Sequence, residues 1–350
     1  MRKLDFIFIL LSLFFFLGSC DAGDEYTVNP HDNFEALWKL IDEKYCFFDY
    51  KHIDWDSVYE KYNVQISDTM DQYRLFNMLS TMLTELQDGH TNLISSFNTS
   101  HSWNWHENYP DNFNSVVLRK YLGDDYKSIE ELYYCILRDN FGYVYYGNFS
   151  SPVSEANLDD IFSCFENCRG LIIDIRNNRG GSLVYSERIA SRFTEEKRIV
   201  GYIMHKRSAA HNDFSDPYPI ELEPSKGRKW LRPVVVLTNR SSYSAANDFV
   251  NKMKLFPHVM IIGDKTGGGC GLPFHSELPN GWGVRFSSSP ILDANKEYTE
   301  YGVDPHLKID IREEDQLNSI DTIIEEALRY LWDKTDGSVP AVTNTGYINR

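Results

Sequence analysis

The segment that decides the fold of this chain is Leu171-Ile172-Ile173-Asp174-Ile175-Arg176-Asn177-Asn178-Arg179-Gly180-Gly181. Its first five residues are mostly apolar, which is typical of a short strand buried on both faces of a sheet. Paired glycines at the end of a strand let backbone N–H groups turn toward a ligand. Residues 182–193 then have helical spacing. A strand, a glycine turn and a helix in this order predict one unit of an α/β sheet.

The same alternation continues on both sides of this unit. Strands are predicted at 142–149, 199–205, 233–237, 259–262 and 283–290, and helices at 158–165, 244–255 and 318–333. Short apolar strands that alternate with helices are typical of an α/β fold. We therefore predict an α/β core over residues 142–335, followed by a C-terminal tail over 336–350.

The residues before this core are predicted to fold differently. Apolar residues at helical spacing begin after Asp32, and further helices are expected near 55–62 and 75–86. We therefore predict an N-terminal helical subdomain over 32–95, which contains His90. Residues 96–141 have no regular pattern and are expected to form an irregular connecting or lid segment. Its aromatic group Trp103-Asn104-Trp105-His106 is interpreted either as a binding platform for peptide or glycan or as a lid packed on the core.

The first residues have the pattern of an export signal. A basic start, Met1-Arg2-Lys3, precedes an apolar run over 6–17, which is too short to span a membrane. The following Leu17-Gly18-Ser19-Cys20 resembles the lipobox of bacterial lipoproteins. The resemblance implies a signal peptide over 1–19, a lipid on Cys20, a tether over 20–31, and attachment to the cell envelope at the outer membrane of a Gram-negative bacterium. The alternative is an ordinary signal peptide with a chance cysteine.

Composition and spacing argue against several classes of partner. The chain has 35 basic and 51 acidic residues and a net charge of −16, so it repels nucleic acid. No histidine spacing is typical of a metal site, and no nucleotide-binding glycine motif is present, so we expect no metal and no cofactor. Cys164 and Cys168 lie four residues apart and could be a ligand pair, although small buried residues are the simpler interpretation. His275 follows a glycine-rich loop and could line a cleft.

Two further loops at strand ends could carry chemistry. In Ser242-Tyr243-Ser244-Ala245-Ala246, a serine lies at a predicted helix N-terminus, where its hydroxyl is near the positive end of the helix dipole. An ordinary N-cap serine is the alternative. The loop over 263–271 contains five glycines in nine residues, which indicates close approach of its backbone to another group.

Taken in order, these segments resemble the tail-specific (carboxyl-terminal processing) and tricorn-core-like serine peptidases. The matching stretches are Leu86–Thr91, Asp174–Gly181, Ser242–Ala246, Gly263–Gly271 and Glu300–Pro305. The resemblance implies a crotonase-like α/β core and a serine endopeptidase acting on peptides or partly unfolded proteins. Only about 50 residues separate Thr91 from Gly142, so the chain resembles a member of the family without a PDZ domain.

The resemblance also implies which residues act. Ser244 matches the nucleophile. The processing-protease branch has a lysine base about 25 residues later, where this chain has Gly269, and Lys265 lies at the loop entry. The tricorn-like branch uses a histidine that matches His90, and a neutral imidazole is suited to take the serine proton.

The supporting residues follow from the same resemblance. Backbone N–H groups of Ala245 and of Gly180 or Gly181 match the donors that stabilise the oxyanion. Glu300 matches the acidic residue that supports the histidine, with Glu297 as a rival.

The residue before His90 departs from the tricorn-like pattern, because Gly89 occupies the place of a serine. The group that orients His90 must then be Glu300, Thr91, Asp88 or water. This departure motivates an alternative function, a catalytically inactive peptide-binding lipoprotein. An esterase is a third possibility, but the G-x-S-x-G motif of α/β-hydrolases is absent around Ser244. The oligomeric state is left open.

Overall fold

The computed structural model of the protein describes residues 26–101 and 104–336. The predicted signal peptide, Cys20, most of the tether, Trp103 and nearly all of the C-terminal tail lie outside the described residues. Within the described part of the chain, no helix combines the length and the apolar character that crossing a membrane requires.

The sequence predicts alternating strands and helices after residue 142, and the described elements follow this alternation only in part. The α-helices are α1 Pro30–Lys44, α2 Phe48–Lys51, α3 Trp55–Asn63, α4 Gln72–Thr84, α5 Ser115–Leu122, α6 Glu155–Cys164, α7 Leu183–Ala190, α8 Ala245–Met253, α9 Glu313–Leu317 and α10 Thr322–Asp336. The strands are β1 Asn92–Ile94, β2 Lys127–Ile129, β3 Leu132–Leu137, β4 Phe141–Tyr146, β5 Gly170–Asp174, β6 Arg198–Ile203, β7 Tyr218–Leu222, β8 Val234–Thr238, β9 Val259–Gly263, β10 Gly271–Glu277, β11 Gly283–Leu292 and β12 Leu307–Lys308.

A seven-stranded sheet forms the centre of the α/β core. Its strand order is β12-β9-β8-β5-β4-β3-β2, and the pairs from β12 to β4 are parallel. Every residue of β5 and β8 is buried, because helices cover both faces of the sheet. α6, α7 and α8 pack on one face, and α5 and α10 pack on the other. The mixed α/β fold is therefore confirmed.

A buried ion network ties the last helix to the middle of this sheet. The Arg176 guanidinium lies 2.6 Å from an Asp174 oxygen and 2.9 Å from an Asp321 oxygen, and all three side chains are almost fully buried. The Tyr143 hydroxyl also donates to Asp174, at 2.6 Å. Because each charge has a partner, the network keeps the end of β5 in place, just before the glycine turn that follows it.

A second sheet connects the core to the N-terminal helices. Its order is β1-β11-β6-β7, and β10 pairs with β11 along most of its length. Apolar residues of β11 and of the β10–β11 turn share one hydrophobic cluster with α1, α3 and α4. The members from the sheet side are Cys270, Leu278, Trp282, Val284 and Phe286. The N-terminal helices are thus packed on the second sheet, and β1 joins them to it.

The segment 96–141 is more regular than the sequence predicts. It contains α5 and the antiparallel strands β2 and β3, and β3 pairs with β4 from Leu132 to Leu137. The sheet of the core therefore begins at Lys127, and the predicted boundary at residue 142 falls within β4. β3 is the run Leu132-Tyr133-Tyr134-Cys135-Ile136-Leu137, which lacks the alternation of apolar and polar residues that marks a half-exposed strand.

Candidate active site

Ser244 lies at the turn between β8 and α8 in an unusual backbone conformation. Its φ is 58° and its ψ is −119°, a region that a serine rarely adopts. The backbone N–H of Ser244 donates to the Gly268 carbonyl at 2.8 Å, which fixes the turn against the glycine-rich loop. Such strain persists where surrounding contacts hold it and is common at functional sites.

His90 lies in the turn between α4 and β1 and contacts Ser244. Its Nε2 lies 2.9 Å from the Ser244 Oγ, so the two residues that the sequence predicts as nucleophile and base are brought together. The Asp88 carboxylate accepts the His90 backbone N–H at 2.8 Å, and Arg285 donates to the His90 carbonyl at 3.2 Å. The position of the imidazole is therefore set by its own turn and by β11.

Burial controls the charge of His90. The residue is 3% exposed, and desolvation lowers the pKa of its imidazole to about 4. The Asp88 carboxylate opposes this shift, whereas the positive charges of Arg285 and Lys51 add to it. The imidazole is therefore neutral at pH 7, the form that accepts a proton.

Two backbone N–H groups beside Ser244 have no hydrogen-bond acceptor among the described residues, those of Gly181 and Ala245. Gly180 differs, because its N–H donates to the Asn178 side chain at 2.9 Å. The φ angles of Gly180 and Gly181 are +93° and +137°, and a Cβ on Gly180 would lie 2.7 Å from the Ser244 Cβ. Of the two glycines predicted as oxyanion donors, Gly181 is thus the one with an available N–H.

Glu300, and not Glu297, lies at the site, but its carboxylate does not bond to His90. Glu300 is fully buried, whereas Glu297 is exposed. One Glu300 oxygen accepts from the Lys51 ammonium at 2.8 Å, and the other accepts from the Cys270 backbone N–H at 2.9 Å. The direct support of His90 by Glu300 that the sequence predicts is replaced by an indirect connection.

The buried acids differ in charge. Burial, reinforced by the nearby Asp88 carboxylate, raises the pKa of Glu300 to about 7, although Lys51 opposes the shift. The pKa of Asp88 is lowered, because the charges of Lys51 and His90 outweigh the cost of its burial. Asp88, which accepts the His90 backbone N–H, is therefore ionised at neutral pH.

The structure explains why residue 89 is glycine. A Cβ at this position would lie 2.5 Å from the Trp105 ring and 2.8 Å from the Tyr243 hydroxyl. Trp105 stacks on Tyr243 with ring centroids 3.9 Å apart, and its Nε1 donates to the Arg240 carbonyl at 2.9 Å. The two rings occupy the space that a serine side chain would need.

The same argument applies to the predicted position of a lysine base. A Cβ on Gly269 would overlap the Tyr243 ring, and the φ of Gly269 is +79°, so no lysine fits there. Lys265 lies 3.6 Å from an Asp304 oxygen at the loop entry. The backbone at residue 269 therefore leaves no room for the lysine of the processing-protease branch.

The cleft around Ser244 is lined by residues of β10 and β11, of the turns after β5 and β8, and of α8. Trp105, Arg179, Asn247, Asp248 and Leu272 are among its lining residues. His275 is exposed on β10 and does not line the cleft. Trp105 combines the two interpretations of its segment, since it packs on Tyr243 and also contacts the cleft.

The described residues form neither a metal site nor a disulfide. Within residues 26–101 and 104–336, no group of three or more histidine, cysteine or acidic side chains could hold a metal ion. Cys164 and Cys168 are free thiols, as are the other cysteines in this part of the chain. The ligand-pair interpretation of these two residues thus receives no support from the described geometry.

Comparison with known proteins identifies the family. The model of peptidase family S41 matches residues 140–309, and the model of the Tricorn protease C1 domain matches residues 27–84. A solved structure from Parabacteroides merdae, of a protein classed provisionally as a peptidase, is 55% identical, with a TM-score of 0.85. The alignment covers 89% of this chain and 100% of that one. The chain belongs to peptidase family S41, and its matches lie in the tail-specific and tricorn-like group of that family.

Two curated relatives match the chain less completely. A provisionally assigned Tricorn-like protease C-terminal subunit of Sulfurisphaera tokodaii is 28% identical over 47% of this chain and 18% of its own length. The carboxy-terminal processing protease CtpA of Bacillus subtilis is 23% identical over 55% of this chain and 40% of its own length. The chain thus spans less than half the length of either relative.

Sequence reasoning missed two residues of the site, Lys51 and Tyr243. Lys51 is 249 residues from its partner Glu300, and no local pattern connects them. Tyr243 is adjacent to Ser244, and the glycines at 89 and 269 that accommodate its ring could have indicated a large neighbour. Gly89 replaces a serine of one branch of the family, and Gly269 replaces the lysine of the other. These two glycines were the sequence signal for a large side chain nearby.

Proposed function

We propose that this protein is a serine endopeptidase in which Ser244 attacks the scissile carbonyl and His90 acts as general base. The 2.9 Å distance between Nε2 and Oγ carries the proposal. The neutral imidazole takes the serine proton as the new C–O bond forms, and it returns that proton to the leaving amine. Water then attacks the acyl-enzyme in the same way, which releases the carboxyl product and restores Ser244.

The negative oxygen formed in each addition needs fixed donors. The N–H groups of Gly181 and Ala245 are available beside Ser244, and Ala245 is the first residue of α8, where the helix dipole adds positive potential. Losing one such donor typically raises the barrier by about 3–4 kcal/mol. The acidic support of His90 comes from Asp88 by charge, while Glu300 acts through Lys51 and the Cys270 backbone.

The available donors and the contact between Ser244 and His90 favour this function over an inactive peptide-binding protein. Gly89 was the reason to consider inactivity, but the Trp105 and Tyr243 rings account for that residue without any loss of the base. We propose peptides or partly unfolded proteins as substrates. The core is proposed to be crotonase-like.

The experiment is active-site labelling with a fluorophosphonate probe. We expect the probe to label the purified wild-type protein, and Ser244→Ala and His90→Ala to abolish labelling. Ser241→Ala is the matched control, since Ser241 precedes the nucleophile in the same turn. Labelling that persists in Ser244→Ala would show that another residue is the nucleophile. A wild-type protein that is neither labelled nor cleaves a peptide library, yet binds peptides, would favour the inactive alternative.

We also propose that the protein is held at the cell envelope by a lipid on Cys20. The support is the sequence Leu17-Gly18-Ser19-Cys20 after a basic and apolar leader. A lipid anchor at the outer membrane would confine the peptidase to substrates in the periplasm or at the cell surface.

A further inference from the structure

The buried ammonium group of Lys51 connects the turn that precedes His90 with Glu300. Lys51 ends the short helix α2, and its side chain is 2% exposed. Its Nζ donates to Glu300 at 2.8 Å and to the backbone carbonyls of Gln87 and Leu86 at 2.9 and 3.3 Å. An Asp88 oxygen lies 4.0 Å away. Three of these partners belong to the turn before His90, and the fourth belongs to a different loop.

The first set of contacts holds the turn that presents the base. Gln87 has a φ of +43°, a conformation that a residue with a side chain adopts only when neighbouring groups stabilise it. Lys51 satisfies the carbonyl of this residue. The next residue, Asp88, accepts the His90 N–H at 2.8 Å. The ammonium group thus stabilises the backbone path that ends at the imidazole.

The second contact holds the loop that supports the nucleophile. The other Glu300 oxygen accepts the Cys270 N–H at 2.9 Å, and the Glu300 carbonyl accepts the Gly269 N–H at 3.1 Å. In the same loop, the Gly268 carbonyl accepts the Ser244 N–H at 2.8 Å. A continuous chain of hydrogen bonds therefore runs from Ser244 through Glu300 to Lys51.

We propose that Lys51, paired with Glu300, is a positioning residue that sets the distance between Ser244 and His90 and the electrostatic environment of the imidazole. The inference rests on the function proposed above and adds a residue to it. Lys51 acts through the His90 turn and the glycine-rich loop, and it takes no proton from the substrate. A base and a nucleophile that come from separate units need such a connection, because a displacement of about 1 Å can cost roughly 10²-fold in rate.

The electrostatic part of the proposal has a defined sign. The charged groups that act on His90 are Asp88 from its own turn, Lys51 from α2 and Arg285 from β11. The Tyr243 ring centroid lies 5.0 Å from that of the imidazole, and Cys270 lines the same cleft. Glu300 faces Asp88 and Lys51. The positive charge of Lys51 lowers the pKa of His90. Removing that charge raises the pKa, so the acid limb of kcat/KM moves to higher pH.

The test compares Lys51→Met, Lys51→Arg and Lys51→Met/Glu300→Gln with the wild type. We expect Lys51→Met to lower kcat/KM by roughly 10²-fold, mainly through kcat, since its action is on geometry and not on substrate contact. The acid limb of its pH profile should move upward. Lys51→Arg should restore part of the rate, and the double variant should be no slower than Lys51→Met alone.

Lys61→Met is the matched control. Lys61 also pairs with a glutamate of the N-terminal helices, Glu85, at 2.6 Å, but its side chain is 58% exposed. The Lys61→Met substitution should leave kcat/KM and the acid limb of its pH profile unchanged. The proposal fails if the acid limb of kcat/KM in Lys51→Met stays at its wild-type position. It also fails if the unfolded fraction of Lys51→Met accounts for the whole loss of rate.

A second measurement separates this inference from the proposed function. Hydrogen exchange of a peptide that covers residues 84–93 reports the turn directly and needs no activity. We expect faster exchange in Lys51→Met and wild-type exchange in Lys61→Met. If the wild type proves inactive, the proposed function fails while the exchange result still decides whether Lys51 holds the turn. Unchanged exchange in Lys51→Met would refute its positioning role.

Discussion

Replacing Gly89 by serine tests whether the space beside His90 is filled. The tricorn-like pattern has a serine here, so the substitution restores the residue that the family resemblance implies. In this structure the new Cβ would lie 2.5 and 2.7 Å from two Trp105 ring atoms and 2.8 Å from the Tyr243 hydroxyl. Contacts below 3 Å require a shift, and the movable group is the Trp105 side chain rather than the backbone.

The magnitude follows from two effects. Forcing a side chain into a filled site costs about 1–3 kcal/mol. Displacing Trp105 from Tyr243 removes a stacked pair with ring centroids 3.9 Å apart, and such a pair contributes about 0.5–1.5 kcal/mol. We therefore expect Gly89→Ser to lower the free energy of unfolding by about 2–4 kcal/mol. We also expect lower kcat/KM, because His90 is the next residue in the chain.

Calorimetric unfolding and peptidase kinetics measure the two outcomes. Gly283→Ser is the matched control, since the nearest atom to its new Cβ is 3.6 Å away on Ile94. Trp105→Ala should relieve the clash, so Gly89→Ser should cost less in that background than in the wild type. Gly89→Ser with wild-type stability and kcat/KM would refute the steric explanation and reopen the question of what orients His90.

Two further predictions concern charge. The proposed base is the neutral imidazole and the pKa of His90 is lowered to about 4, so kcat/KM should be lost in acid with an apparent pKa near 4. A smaller step near pH 7 should report protonation of Glu300 and should be absent from Glu300→Gln. A complete loss of activity with an apparent pKa near 6.5 in Glu300→Gln would show that His90 is not desolvated as the structure has it. Arg176→Met leaves the buried carboxylates of Asp174 and Asp321 without their partner, and it should destabilise the fold by about 3–5 kcal/mol in denaturant unfolding, with the exposed Arg207→Met as control. A loss below about 1 kcal/mol would mean that the network contributes little.

The sequence predicts the parts of the fold that depend on local patterns. The strands at 171–175 and 233–237 and the helix after Ser244 are recovered within two residues, because each is an apolar run bounded by glycine or polar residues. The β2–β3 hairpin is missed, since its strands are short and partly exposed. Its place at the sheet edge depends on pairing with β4, which no local pattern reveals.

The site residues also divide into those that a local motif predicts and those that depend on contacts between distant parts of the chain. Ser244 and His90 could be predicted as the reacting pair because each lies in a motif that the family resemblance covers, and the structure brings them into contact. The partner of Glu300 could not, because Lys51 comes from a four-residue helix in a different unit of the chain. Gly180 and Gly181 look equivalent in sequence, and only the Asn178 side chain, which accepts the Gly180 N–H, distinguishes them.

The opposite pKa shifts at the site have one physical origin. Burial favours the neutral form of any titratable group, so it lowers the pKa of the His90 imidazole and raises that of the Glu300 carboxyl. With a pKa of about 7, Glu300 carries only part of a negative charge at neutral pH, whereas Asp88 keeps its full charge. In the proposed mechanism, the imidazolium that forms as Ser244 attacks is therefore stabilised mainly by Asp88, which lies in the same turn and whose carboxylate accepts the His90 N–H. On this proposal, Asp88, two residues before His90, contributes the charge, and Glu300 contributes position through Lys51 and Cys270.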